Sequence, residues 1–77
     1  MSEFRTQTEE LYEYLKFHDG VTQMSALRNL GIMRLASRIS DLRKQGVGIK
    51  KEMITVRAKN GRKASVARYS LEEVHNG

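Results

Sequence analysis

The 77-residue sequence has no cysteine, no apolar run longer than a few residues and, between residues 21 and 71, almost no acid. The absence of cysteine excludes disulfides and thiolate metal sites, so apolar packing alone must stabilise the fold, and a reducing intracellular setting fits. The absence of a long apolar run excludes a membrane-spanning helix, which needs roughly 18 to 20 such residues. Met1 to Arg5 also lacks the apolar core of a secretory leader. A soluble, cytoplasmic protein with no membrane partner is therefore expected. The chain is too short for two cores, so it reads as one domain over 1–77, with an ordered part at about 6–71 and frayed termini. That size argues against most enzymes.

The charge that is present is unevenly distributed. Residues 1–20 hold two bases and five acids, a balance of −3, whereas residues 21–71 hold twelve bases and only Asp41 and Glu52, a balance of +10. Glu72 and Glu73 bring the total to +5. A strongly basic body suits a polyanion, although sign alone does not choose among nucleic acid, acidic membrane and acidic protein.

Thr6 followed by Glu9 has the spacing of a capping box, with Thr8 as an alternative cap, and Leu11 and Leu15 lie one helical turn apart. This predicts a first helix over about 7–18 with Glu9, Glu10 and Glu13 on a solvated face, stopped by Asp19-Gly20. Val21 reads as a short extended stretch. Thr22 can cap a second short helix containing Met24, Ala26, Leu27 and Leu30, ended by Gly31. A third helix is predicted over Met33 to Gln45, closed by Gly46. At helical periodicity Ile32, Leu35, Ala36, Ile39 and Leu42 form its core stripe. Met33, Arg34, Ser37, Asp41 and Lys44 point the other way, with Ser40 and Arg38 towards its flanks.

After Gly46-Val47-Gly48 the apolar period changes to two. Ile49 to Arg57 and Ala64 to Leu71 read as strands, and Asn60-Gly61 as a two-residue hairpin turn. That turn would place Ile54 opposite Ala67, Val56 opposite Ser65, Glu52 opposite Tyr69 and Lys50 opposite Leu71. One face would then collect Ile54, Val56, Ala67, Tyr69 and Leu71 to cover the helices, with Arg57, Lys59, Arg62 and Lys63 towards the tip. Phe4 is a further candidate for packing on the core.

Three helices followed by a basic hairpin define an α+β winged helix-turn-helix. A helix fits the major groove of duplex DNA, and a basic hairpin reaches neighbouring phosphates or the minor groove. The expected base-reading set is Met33, Arg34, Ser37 and Arg38. Arg34 can offer guanine two parallel hydrogen bonds, Ser37 permits close approach, and Met33 can touch a thymine methyl. Arg38 lies on the flank and also suits phosphate, although a surface ion pair with Asp41 is its simpler role. The expected phosphate and wing set is Thr22, Lys44, Arg57, Lys59, Asn60, Arg62 and Lys63. For the hairpin bases the competing explanation is protection of an open strand edge; for Met24 it is packing, and for Met33 packing in the core or against a second copy.

Catalysis and cofactors find little support. The two histidines, His18 and His75, lie near a helix end and in the tail, which is too few ligands for a metal site. Glu9, Glu10 and Glu13 share a solvated face, no Ser or Tyr has a histidine activator, and Gly46-Val47-Gly48 follows a helix where a phosphate loop would precede one. No cofactor and no metal are expected.

The stretch Ala26-Leu27-Arg28-Asn29-Leu30-Gly31-Ile32-Met33-Arg34-Leu35-Ala36-Ser37-Arg38-Ile39-Ser40-Asp41-Leu42-Arg43-Lys44-Gln45-Gly46, with Ile49 and the hairpin after it, resembles the small stand-alone winged helix-turn-helix domains of tailed phages and prophages. The likeness runs from Thr6 to Leu71. It implies a DNA-binding protein of viral or mobile-element origin that reads sequence with Arg34 to Arg38. Ala26 precedes Gly31 by five residues, where the common bacterial repressor turn has four. The expected partner is double-stranded DNA, with a second copy of the chain or a host protein left open. The competing function is a winged-helix interaction module that docks on or inhibits a replication, recombination or transcription component.

Overall fold

The computed structural model describes residues 6–72 and contains α1 (Gln7–Phe17), α2 (Gln23–Leu30), α3 (Leu35–Lys44), β1 (Ile49–Arg57) and β2 (Lys63–Leu71). The expected helix, helix, helix, hairpin order is present. Phe4, Glu73 and His75 lie outside the described residues.

Local chemistry sets the helix ends. Thr6 caps α1 through a reciprocal box, its hydroxyl accepting from the Glu9 amide while Glu9 accepts from the Thr6 amide at 3.0 Å. Thr22 and Ser25 form the same arrangement at the start of α2. Gly31 closes α2 in the left-handed conformation (φ 70°), where its amide donates to the Leu27 carbonyl at 3.1 Å. A side chain there would strain the backbone, so a glycine makes the tight α2–α3 connection possible.

Leu11, Leu15, Val21, Ala26, Ile32, Leu35, Ile39, Leu42, Ile49 and Tyr69 form one buried cluster drawn from every element. The predicted α3 stripe is thus buried except for Ala36, which is exposed in the open space between α3 and the wing. Met24 and Met33 are not core residues: they are 63% and 78% exposed. Val21 pairs with Tyr69 through two backbone hydrogen bonds of 2.8 and 2.9 Å, which anchors the root of the hairpin to the α1–α2 connection.

The hairpin differs from the expected register by one residue. Ile54 faces Val66, Val56 faces Ala64, Glu52 faces Arg68 and Ile49 faces Leu71. The loop explains the shift. A two-residue type I′ turn needs positive φ at both central residues, yet Gly61 (φ 82°) is the loop's only residue with positive φ. The Gly61 amide donates to the Ala58 carbonyl at 2.9 Å and the Ala58 amide to the Arg62 carbonyl at 2.8 Å, which makes a three-residue loop, Lys59-Asn60-Gly61. Ile54 and Val56 consequently occupy the face opposite Ala67, Tyr69 and Leu71. The observed register is the one that buries Ile49 beside Tyr69 and Leu71. It also joins Glu52 to Arg68 in a 2.9 Å ion pair.

Candidate nucleic-acid interface

The segment expected to read bases begins ahead of α3. Arg34 is the residue before the helix (φ −124°, ψ 77°), so Met33 and Arg34 belong to the turn and not to the helix, a correction to the expected start at Met33. No side chain of Arg34 caps α3; the cap comes from α2. The Gln23 amide oxygen accepts from the Leu35 backbone N–H at 2.8 Å, while its NH2 donates to the Ile32 carbonyl at 2.8 Å. One side chain thereby satisfies an otherwise unpaired donor of the α3 N-terminus and holds the turn on either side of Met33 and Arg34.

Met33, Arg34 and Ser37 are all exposed. Arg38 is drawn aside by Asp41 at 3.5 Å, with both side chains little more than one-third exposed. The surface ion pair expected as its simpler role is present. Lys44 is exposed in the last turn of α3, where a cation also complements the helix dipole. Arg43 has a structural contact instead: its guanidinium donates to the Ile49 carbonyl at 3.0 Å, tying the end of α3 to β1.

At the wing, Arg57 and Lys63 face each other directly across the strands, and Lys59, Asn60 and Arg62 occupy or flank the loop. All five are exposed. The Asn60 side-chain oxygen accepts from the Arg62 amide at 3.0 Å, so Asn60 shapes the loop that displays these cations. The Thr22 hydroxyl is engaged in the α2 cap.

Between the helices and the wing runs a groove of about 890 Å³. α2 contributes Gln23, Met24, Ser25 and Arg28, α3 contributes Leu35 and Ala36, and the wing contributes Val56 to Lys59, Val66, Ala67 and Tyr69, with Thr22 at one end. The N-terminus of α3 and the wing therefore border one concave surface. Among the described residues its cations are Arg28, Arg57 and Lys59, and no Asp or Glu lines it. Sequence reasoning missed Arg28 and Gln23. Both act through neighbours brought near by tertiary folding, and no local pattern marks them.

Among the described residues, no group of three or more His, Asp or Glu side chains could hold a metal, and no helix is long and apolar enough to cross a membrane. No significant match to the chain occurs among curated proteins or solved structures. The winged helix-turn-helix domain family matches residues 6–74. With three helices, a tight α2–α3 turn and an antiparallel wing in the order that family requires, the chain belongs to the winged helix-turn-helix domains, a fold whose usual business is binding DNA.

Proposed function

We propose that the protein binds double-stranded DNA sequence-specifically, setting the start of α3 in a major groove and the wing on adjacent phosphates, as a small regulator of phage or mobile-element origin. The shared groove supports this reading, because it brings the first residues of α3, Leu35 and Ala36, which directly follow Arg34, and the wing cations Arg57 and Lys59 to one concave surface. Met33, Arg34 and Ser37 face the bases; Arg38, Lys44, Arg57, Lys59, Arg62 and Lys63 neutralise phosphates. Asn60 and Thr22 support this surface through the wing loop and the α2 cap.

Titration of a labelled duplex at several salt concentrations tests the proposal. With roughly five phosphates neutralised, log affinity falls against log salt with a slope of about −4 to −5. Absence of duplex binding at low salt overturns it. The competing reading, a protein-docking module, is favoured by Phe17, which is 77% exposed on α1 beside Tyr14, His18 and Leu30. A Phe17→Ser variant with unchanged duplex affinity separates that surface from DNA binding.

A further inference from the structure

We infer that the groove between α2 and the wing holds one sugar–phosphate strand of the bound duplex, and that Arg28 is a phosphate ligand acting with Arg57 and Lys59 across it. This inference rests on the duplex-binding reading and assigns that site an additional residue.

Charge is the first argument. Among the described residues, three cations, one from α2 and two from the wing, line the groove and no carboxylate does. Three arginines outside the groove have partners within the fold: Arg38 with Asp41, Arg68 with Glu52, and Arg43 on the Ile49 carbonyl. Arg28, Arg57 and Lys59 are in no ion pair among the described residues.

The second argument is the wing register. Arg57 lies directly opposite Lys63, and like charges in that relation repel. An anion in the groove relieves the repulsion, and the strand backbone supplies one at every nucleotide. The third is the apolar surface that Ala36 and Ala67 contribute to the groove, which suits the carbon-rich face of deoxyribose between successive phosphates.

Arg28 also sits in the last turn of α2, where it would favour the helix dipole without any DNA. That purely structural role lowers stability when Arg28 is removed and leaves phosphate recognition unchanged. The experiment therefore reads both. Wild type, Arg28→Gln, Arg57→Gln and the double variant are titrated with one duplex over a range of salt, with thermal midpoints measured alongside. Arg28→Gln is expected to weaken binding about tenfold on any sequence and to make the salt slope about one unit shallower, with a thermal midpoint close to wild type. The double variant should lose less than the product of the two single losses, because both side chains hold one strand.

A second measurement uses wild type and Arg28→Gln on duplexes with single phosphates replaced by neutral methylphosphonates. One or two positions should weaken wild type markedly and Arg28→Gln hardly at all. If every position affects both proteins equally, or Arg28→Gln keeps wild-type affinity and slope, the inference is wrong while duplex binding stands. Failure of wild type to bind any duplex is the separate result that removes the underlying reading.

Discussion

The Gln23 side chain and the Leu35 backbone amide, on consecutive helices, are joined at 2.8 Å, and this bond does for α3 what an N-terminal Ser or Asp does elsewhere. Because the same side chain donates to Ile32, the turn between α2 and α3 is held on both sides. Gln23→Ala leaves both partners unsatisfied, and unfolding in urea should show a loss of about 1 to 2 kcal/mol. Under conditions where the variant is fully folded, duplex affinity should fall as well, since Arg34 lies inside the segment that Gln23 holds. A variant that loses stability but keeps wild-type affinity would restrict Gln23 to a structural role.

Most of the architecture is legible in the sequence because it depends on local rules. The Thr6 and Thr22 caps, Gly31 as a helix end, the α3 stripe and the two alternating strands are each set by neighbours a few residues away. Three features are not local. Asn60-Gly61 is compatible with a two-residue turn and with a three-residue loop, and burial of Ile49 against Tyr69 decides between them. Gln23 reaches Leu35 across twelve positions, so spacing does not reveal it. Arg28 becomes a groove residue only when the wing lines the side of the groove opposite α2. Met33 and Arg34, expected inside the third helix, precede α3, and Gln23 supplies the cap at Leu35.

The register gives a chemical test in a chain without cysteine. Ala58 with Arg62 and Gly48 with Glu72 mark hydrogen-bonded positions at the two ends of the hairpin. Alternation along an antiparallel ladder then makes Thr55 and Ser65 a non-hydrogen-bonded pair, with Cα atoms about 4.5 Å apart, close enough for a disulfide. The double variant Thr55→Cys, Ser65→Cys should lose its free thiols under mild oxidation as a monomer. Val56→Cys with Ser65→Cys should remain reduced, because those side chains project from opposite faces. The reverse pattern would restore the two-residue turn.

Arg34 and Arg62 should respond differently to removal, although both are exposed arginines on the proposed DNA side. Arg34 immediately precedes α3 and has no ion-pair partner among the described residues, which leaves its planar head available for a base edge. Arg62 flanks the wing loop, where backbone contacts dominate. A preferred site selected from random duplexes provides the reference. On that site Arg34→Ala should cost about 1 to 3 kcal/mol, with a much smaller loss on unrelated sequence, so the preference narrows. Arg62→Ala should weaken all duplexes similarly and make the salt slope shallower by about one unit. Equal losses on every sequence for Arg34→Ala would move Arg34 to the phosphate set and leave Met33 and Ser37 as the base-reading residues. Arg38→Ala offers the internal comparison: held towards Asp41, it should change the preference less than Arg34→Ala does.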